Sequence, residues 1–486
     1  MKKILCLILG VIMMMSMVAC SGSKEAPAGE SGSGFEAGVL YAGYGRSVIT
    51  PKDSVPLGGY GAADQRMSDR VLDDLYATCV AFTDGNQTML LISADAVRSN
   101  QGWTERVRER VEKELGVPGT NVMIMSSHSH SAPETTSTDA SIAAYSNLYV
   151  EGCVSAAKTA MEDRSKATMY TSSVQTENMT FVRHYLMNDG TVCGPNFGSA
   201  SSGFAGHIGR GDKEMILWKL EREDGKKPIL LMNFQAHTTF TGGADVKDIS
   251  ADYVGVCRDM LEYEEGVLFA YYLGACGNQT PNSYIADENN TMPFADQLPG
   301  TDRTYITYGT ALALYAKQGL ANMTKVDTKA GIVTTSKVVT CPTNKNQPAD
   351  RVADAQIVVD VWKSQNRDAG NAKARELGFA SVYEANGMLG IDNLPESNDI
   401  EVCASRIGNM YFVNAPYEMF SENALYIKEN TPAGTMVMTQ SNSAWGYITD
   451  KKAFEYKCYE NFGFSFAEGC GELLVEEMVG LINTLG

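Results

Sequence analysis

Two histidines separated by one residue are the first sign of chemistry in this chain. His128 and His130 follow the apolar run Val122–Met125, and His237 ends a second apolar run, Ile229–Ala236. The sequence of 486 residues has only five histidines in total. Neutral imidazole is the commonest metal ligand among side chains, and metal sites need ligands on rigid supports. The placement of these scarce residues predicts a buried zinc site and therefore hydrolytic chemistry.

Five apolar runs of the sequence end in polar clusters. These clusters begin with or contain His128, His237, Gly277–Asn282, Pro416–Glu418 and Ser441–Tyr447. In α/β sheets, ligands bind outside the carboxyl ends of the strands. If these ends converge, they build one site with two or three histidines, a glutamate, a tyrosine and a loop of threonine and asparagine.

Taken singly, each residue also has a simpler structural explanation. A His-x-His pair is a common accident, although in an extended segment both side chains share a face. Glu418 can favour the dipole of a predicted helix, Met419–Lys428. Tyr447 can be a core aromatic residue, and Thr280 can belong to a turn. The combination and order of the residues therefore carry the interpretation.

The elements that must position these residues alternate between strands and helices. Predicted strands, rich in Val, Ile, Leu and Met, cover Val39–Ile49, Ala77–Phe82, Thr88–Ser93, Val122–Met125, Met215–Leu220, Ile229–Phe234, Val267–Leu273, Met410–Val413 and Met436–Thr439. Predicted helices cover Gln101–Leu115, Ala140–Met161, Tyr253–Tyr263, Tyr305–Leu320, Asp354–Ala374 and Glu472–Leu485. Nearly continuous apolar strands are typical of sheets covered on both faces. The sequence predicts an α/β fold with mixed β-sheets covered by helices and a metal site at the carboxyl-terminal ends of strands.

The amino terminus has the pattern of a secretory signal. Lys2 and Lys3 precede the apolar segment Ile4–Met17, which is too short for a comfortable membrane span. Cys20 follows small residues and resembles the lipidated cysteine of a bacterial lipobox, so we expect a signal peptide over 1–19 and a flexible tether over 20–36. This predicts an extracytoplasmic lipoprotein of a bacterial cell membrane; ordinary cleavage near Ala19 and secretion is the alternative.

The net charge of the chain limits the kinds of partner that it can bind. The formal charge is −18 at pH 7, and a chain this acidic repels phosphate backbones, so we expect no nucleic-acid partner. The body also has no polybasic stripe for anionic lipids. We expect contact with the membrane through the lipid anchor only.

The eleven cysteines do not form a disulfide pattern. Removing Cys6 with the signal and lipidating Cys20 leaves nine, with irregular spacing and no CxxC motif. We expect mostly buried free thiols, and the first candidate pair for a bridge is Cys458 with Cys470.

Six motifs in order resemble the neutral, non-lysosomal ceramidase family, specifically its catalytic amino-terminal domain. They are Ala42–Pro51, Pro56–Gly61, Ser127–Pro133, Gly277–Asn282, Ala415–Glu418 and Gly446–Glu460. The resemblance runs from about Val39 to the carboxyl terminus. It implies a catalytic domain over 37–486, without the immunoglobulin-like domain that follows in the family.

The resemblance also implies roles for individual residues. His128, His237, Glu418 and Tyr447 match the ligands of one Zn²⁺ per chain. His130 matches a histidine that contacts substrate, Arg183 matches a substrate-binding arginine, and Thr280 stands where the family has its active-site serine. The implied reaction is hydrolysis of the N-acyl amide of a ceramide-like lipid to a sphingoid base and a fatty acid.

Departures from the family leave other functions open. Thr280 adds a methyl group, Ala132 and Glu134 replace glycines, and Tyr417 replaces the glycine before Glu418. The alternatives are a zinc amidase or esterase that acts on a non-ceramide acyl substrate, and a ligand-binding lipoprotein without catalysis. For Arg183, the alternative to substrate binding is a solvated surface charge.

Overall fold

The computed structural model describes most of the chain beyond the amino terminus. The described residues are 34–60, 66–190, 192–193, 203–243, 245–282, 292–379, 381–455, 459–462 and 466–486. Contacts divide the chain into two units, Met1–Gly34 and Phe35–Gly486, and the fold below is that of the second. The predicted signal peptide, Cys20 and the tether up to residue 33 lie outside the described residues, as does Cys458.

Twenty-two strands are present in the described part of the chain. They are β1 Tyr41–Val48, β2 Arg70–Val71, β3 Tyr76–Thr83, β4 Thr88–Ala94, β5 Val122–Ser126, β6 Ser165–Gln175, β7 Thr180–Val182, β8 Tyr185–Met187, β9 Val192–Cys193, β10 Phe204–His207, β11 Glu214–Arg222, β12 Ile229–Phe234, β13 Asp248–Ile249, β14 Leu268–Leu273, β15 Gln279–Pro281, β16 Thr324–Lys325, β17 Ile332–Pro342, β18 Ser397–Ile407, β19 Met410–Asn414, β20 Glu418–Met419, β21 Met436–Met438 and β22 Tyr447–Ile448. All nine predicted strands are confirmed, with ends that shift by two residues at most.

Ten α-helices accompany these strands in the described residues. They are α1 Gln101–Leu115, α2 Ala140–Glu162, α3 Asp252–Glu264, α4 Tyr305–Leu320, α5 Ala349–Ser364, α6 Arg367–Glu376, α7 Val382–Gly390, α8 Ser421–Glu429, α9 Tyr459–Phe462 and α10 Cys470–Thr484. None of them is long and apolar enough to cross a membrane.

Local signals explain where helices begin and end. Asn100 caps α1 by accepting a hydrogen bond from the backbone of Trp103, and Gly116 ends it in the left-handed conformation. The single helix predicted over Asp354–Ala374 is wrong, because the chain breaks between α5 and α6. There Asn366 adopts an extended conformation and caps α6 through the backbone of Ala369.

The main sheet is mixed and has nine strands, in the order β14-β12-β11-β6-β1-β3-β4-β5, with β16 added beside β6. The outermost pairs, β12 with β14 and β4 with β5, are parallel, and the pairs between them are antiparallel. The predicted mixed sheet is thereby confirmed.

This sheet curves until its two edges meet. The Ser93 hydroxyl in β4 donates to the carbonyl of Tyr271 in β14 over 2.5 Å, and the Tyr272 hydroxyl donates to the carbonyl of Leu91 over 3.3 Å. Beyond the strand ends, Ser129 pairs with Thr238 in a parallel bridge. The segments that follow β5 and β12 are therefore neighbours, although five strands separate β5 from β12 in the sheet order.

Two helical layers and a second sheet cover the main sheet. One set of its side chains packs under α1 and α2, and another packs under α3 and α4. The opposite face shares a core with a four-stranded sheet, β17-β18-β19-β21, through residues such as Met123, Trp218 and Phe412. The outer face of this second sheet packs against α8 and α10. Helices and a second sheet thus bury both faces of the central strands, as predicted.

Three long strands were not predicted: β6, β17 and β18. Strands β6 and β17 have a half-exposed pattern in which buried residues are interrupted by exposed polar ones, as in the segment of β17 that contains Lys337. Strand β18 begins with polar residues and carries Glu401 and Arg406 among its buried residues. The sequence signal for a strand is a continuous apolar run, and all three strands lack one.

The close approach of β1 to α2 gives a prediction about stability. A Cβ atom added to Gly45 would lie 2.1 Å from the Ala156 carbonyl oxygen. Because relief of this clash requires a shift of the backbone of β1 or α2, we expect Gly45→Ala to lower the free energy of unfolding by about 3 kcal/mol. Urea unfolding followed by circular dichroism measures this value.

Gly480→Ala is the matched control, because Gly480 lies in α10 and a Cβ there meets open space. This substitution should be neutral or stabilise the fold by up to about 1 kcal/mol. Equal stability of Gly45→Ala and the wild type would contradict the close packing of β1 on α2.

Candidate metal centre

Four buried donor groups converge where several strands end. His128, His237, Cys276 and Glu418 each present one donor atom, and these atoms all lie within 4.8 Å of one another. The residues follow or belong to β5, β12, β14 and β20. The predicted convergence of strand ends is therefore observed, and it brings together two sheets of the molecule.

His128 is held by the backbone just beyond β5. Its φ of +61° lies in the left-handed region, which few non-glycine residues adopt. Its Nδ1 lies 2.5 Å from the carbonyl oxygen of Val97. Because a carbonyl only accepts, Nδ1 carries the proton, and the Nε2 lone pair faces Glu418 Oε2 at 3.3 Å.

The predicted extended geometry of the histidine pair is wrong. Strand β5 ends at Ser126, and the turn at His128 replaces strand alternation. The two rings still meet, with Nε2 of His130 lying 3.3 Å from Nε2 of His128.

His237 is oriented by a second carbonyl group. Its Nδ1 lies 3.2 Å from the Gln279 carbonyl oxygen, so Nδ1–H donates there. Nε2 then faces Glu418 Oε2 at 3.1 Å and the Tyr447 hydroxyl at 3.2 Å. Burial, reinforced by the positive charge of Arg183, lowers the pKa of His237 to about 4. The ring is neutral at physiological pH, which is the state that binds metals.

Glu418 and Tyr447 stand side by side because their short strands pair. Strand β20 runs parallel to β22, with Glu418 opposite Tyr447. Burial works against the charge of Glu418, but His128 and His237 outweigh it and hold the pKa of this carboxyl well below its usual value. Helix α8 begins only at Ser421, so the alternative of a helix-terminal role for Glu418 is wrong.

Arg183 is buried beside Tyr447, which excludes the alternative of a solvated surface charge. Its Nη2 donates to the Tyr447 hydroxyl over 3.0 Å and to Glu460 Oε1 over 3.0 Å. The second oxygen of Glu460 lies 3.3 Å from His184 Nε2. Although burial raises the pKa of Glu460, His184 and Arg183 lower it to about 2. This carboxylate is therefore ionised and holds Arg183 in place.

His130 lies behind His128 in a pocket that a glycine makes possible. A Cβ on Gly59, whose φ is +94°, would lie 2.3 Å from Cγ of His130. The ring of Tyr60 packs edge-on against it at 5.0 Å. Burial, then the neighbouring His128, lowers the pKa of His130 well below its ordinary value. Among the described residues, its buried Nδ1 has no hydrogen-bond partner.

Thr280 lies in the strand that supports His237. It belongs to β15, which pairs with β7, and its carbonyl accepts a hydrogen bond of 2.9 Å from the Thr180 hydroxyl. The preceding residue, Gln279, supplies the carbonyl that orients His237. The side chain of Thr280 is buried, with 5% of the residue exposed. All seven predicted site residues thus have well-defined buried positions.

Cys276 is the group that sequence analysis missed. It lies between the end of β14 and the loop Gly277–Asn282, which was already singled out. The available signal is its position directly before the polar cluster Gly277–Asn282. Nothing in the spacing of the cysteines separates Cys276 from the thiols that are expected to be buried and free. Seven cysteines whose side chains the structure describes are free and buried, and Cys470 is one of them.

The donor set fits a zinc ion. Zinc takes imidazole nitrogen, carboxylate oxygen and thiolate sulfur, and it needs ligands whose other atoms are already hydrogen-bonded. Both ligand-forming histidines meet this condition through the carbonyls of Val97 and Gln279. Residues His128, His237 and Glu418 supply three donors, and Tyr447 and Cys276 lie beside them.

The depressed pKa of His237 predicts a pH effect on the metal-free protein. The unfolded state binds a proton near pH 6.5, whereas the folded state does so only near pH 4. Stability should therefore fall as pH drops through this window, by about 3 kcal/mol from this group. Urea unfolding between pH 7 and 4 should show that the free energy of unfolding falls less steeply with pH in His237→Gln than in the wild type. A matched variant, His207→Gln, should keep the wild-type slope; equal slopes for all three proteins would contradict the assignment.

The buried ion pair of Glu460 predicts a large loss of stability on its removal. Glu460→Gln leaves the Arg183 guanidinium buried without its charge partner, so we expect a loss of about 3 kcal/mol in unfolding free energy. Glu151→Gln breaks an exposed pair with Arg110 and should change the value by about 0.5 kcal/mol at most. Similar losses for the two variants would argue against a structural role for Glu460.

Comparison with proteins of known structure identifies the fold of the chain. No family model and no curated protein matches the sequence. The structure is similar to neutral ceramidase from Pseudomonas aeruginosa, with 16% identity and a TM-score of 0.66 over 92% of this chain and 74% of that one. A ceramidase complexed with C2 gives the same identity and TM-score over 92% and 75% of the two chains. The chain therefore has the fold of neutral ceramidase, as its motifs predict.

Proposed function

We propose that this protein is a zinc-dependent amidohydrolase that cleaves the N-acyl amide of ceramide-like lipids. The observation that carries the proposal is the convergence of His128, His237 and Glu418, with Tyr447 in contact with His237. The shared fold with neutral ceramidase supports the choice of substrate. The products are a sphingoid base and a fatty acid.

The residues that hold the metal are His128, His237, Glu418 and Tyr447, with one zinc ion per chain. The chemistry that a bound zinc ion supplies is activation of water and polarisation of the amide carbonyl. Glu418 is ionised and His237 is neutral at physiological pH, so no proton has to leave these two groups before binding.

His130 is the group that moves a proton in this proposal. Its ring is neutral because of burial, and its Nδ1 is free of hydrogen bonds within the described residues. It contacts His128 and therefore lies at the edge of the metal centre. We assign to it the orientation of the substrate and proton transfer to the leaving amine.

Arg183 and Thr280 stabilise the charge that develops on the carbonyl oxygen. Arg183 is held by Glu460 and already donates to Tyr447, so its guanidinium needs no reorganisation when charge appears. Thr280 supplies a hydroxyl where the related family has serine. Preorganised donors of this kind act most strongly in a dry site.

Location at the membrane belongs to the same proposal. Cys20 would carry the lipid, and residues 20–36 would tether the catalytic domain over 37–486 on the extracytoplasmic side. Membrane proximity suits an enzyme whose substrate is a lipid, and the acidic sequence has no polybasic stripe that would attract anionic lipids.

A second candidate is hydrolysis of another acyl substrate by the same metal centre. Glu134 favours it, because its Oε2 would lie 2.9 Å from a Cβ on Gly58, in the loop that covers His130. This carboxylate is only partly neutralised by Arg98, at 3.4 Å. A charge beside the loop suits a polar head group better than a plain alkyl chain.

The test measures fatty-acid release from a fluorescent ceramide in detergent micelles by the purified full-length chain. We expect release to require zinc and to fall by at least about 100-fold in His237→Ala and Glu418→Gln. Gly480→Ala, far from the donor groups, should retain activity. Zinc content is measured on every sample.

Each result has a definite meaning. A protein that holds zinc but releases no fatty acid contradicts the ceramide assignment, and N-acyl and O-acyl compounds with polar head groups then test the second candidate. A protein that binds no zinc contradicts the enzyme proposal and favours a ligand-binding lipoprotein.

A further inference from the structure

We propose that Cys276 is a direct ligand of the metal, so that sulfur joins two imidazole nitrogens and one carboxylate in the centre. The inference rests on the proposed function only in requiring that a metal binds. It adds a donor that the motifs of the sequence do not indicate. Tyr447, which the proposed function places among the ligands, keeps its position opposite Glu418.

Distances support this set of four donors. The Sγ atom of Cys276 lies no more than 4.8 Å from the donor atoms of His128, His237 and Glu418. In a tetrahedral zinc site, bonds of about 2.0 Å to nitrogen and 2.3 Å to sulfur place ligand atoms about 3.3–3.5 Å apart. The two contacts of Glu418 with the histidines, 3.3 and 3.1 Å, already match this spacing. The sulfur needs to move by little more than about 1 Å, which a side-chain rotation can supply.

The backbone fixes Cys276 between the other ligands. On one side, Gly274 N–H donates to the Phe234 carbonyl at the end of the strand that leads to His237, over 2.9 Å. On the other side, Gly277 N–H donates to the Met419 carbonyl, next to Glu418, over 2.8 Å. A Cβ on Gly277 would lie 2.6 Å from the Glu418 carbonyl oxygen, so the two segments are in close contact. Cys276 is therefore tied to both neighbouring ligands.

The chemical surroundings of Cys276 differ from those of the other thiols. Of the seven free cysteines in the described part of the chain, Cys276 is the one grouped with imidazole and carboxylate donors. Cys257 is equally buried and belongs to the same apolar cluster, yet it is not in the donor group. Packing alone explains Cys257, and it does not explain why the sulfur of Cys276 faces three potential ligands.

Binding of the metal by Cys276 requires no oxidant or reductant. As the metal–sulfur bond forms, the thiol proton leaves to solvent, and no electrons are transferred. A thiolate makes the centre softer than one built from nitrogen and oxygen alone. It should prefer Zn²⁺, Co²⁺ or Cd²⁺ over Mg²⁺, Ca²⁺ or Mn²⁺.

Cobalt substitution tests the inference in the full-length protein. Co²⁺ alone is added to the metal-free protein, and the absorption spectrum is recorded. We expect a sulfur-to-cobalt charge-transfer band in the near ultraviolet, which Cys276→Ser should lose. Cys257→Ser should keep the band as the matched buried thiol, and Tyr447→Phe should keep it because phenol is not its source.

A measurement on the wild-type protein tests the inference even if the Cys276→Ser variant does not fold. Zinc X-ray absorption of the wild type should show one sulfur scatterer at about 2.3 Å. Bound zinc with only nitrogen and oxygen scatterers overturns the inference and leaves the proposed hydrolase intact. A wild-type protein that binds neither zinc nor cobalt overturns both. Retention of the cobalt band in a folded Cys276→Ser variant also overturns the inference.

Discussion

Curvature of the main sheet is the constraint on which the site depends. Strands β5 and β14 are at opposite ends of the strand order, yet the hydroxyls of Ser93 and Tyr272 join β4, the neighbour of β5, to β14 through hydrogen bonds to backbone. A flat sheet would leave the segments after β5 and β12 several strands apart, about 4.8 Å for each strand crossed. Because the edges meet, His128 and His237 lie with their rings 4.9 Å apart.

The site is a buried polar cluster, and hydrogen bonds around its rim offset part of its cost. Isolated charges in a protein interior are expensive unless they are paired and hydrogen-bonded. Here Glu460 neutralises Arg183, and backbone carbonyls accept from Nδ1–H of His128 and His237. The Nε2 lone pairs of both rings face Glu418 Oε2, an arrangement suited to a cation between them. Nδ1 of His130 is among the buried atoms without a hydrogen-bond partner in the described residues, and His130 is the group to which we assign proton transfer.

Sequence reasoning succeeded where a local pattern has one physical meaning. Ile229–Phe234 is apolar throughout and proved to be a fully buried strand, with His237 just beyond it. Prediction from the sequence failed where contacts between distant parts of the chain determine the local structure. The turn at His128 depends on the Val97 carbonyl, which lies 31 residues away, and no local signal foretells it. Cys276 approaches the other donors only because the segment around Glu418 packs against it, and polar residues interrupt the apolar pattern of strands β17 and β18.

The donor residues come from the main sheet and from the short β20–β22 sheet, with His237 and Glu418 separated by 181 residues. A bound ion would therefore act as a cross-link that closes very long loops. In chain-entropy terms, such a link restrains the unfolded state by about 4–5 kcal/mol. Metal occupancy would then set how often these segments separate, and so how quickly proteases could degrade the protein.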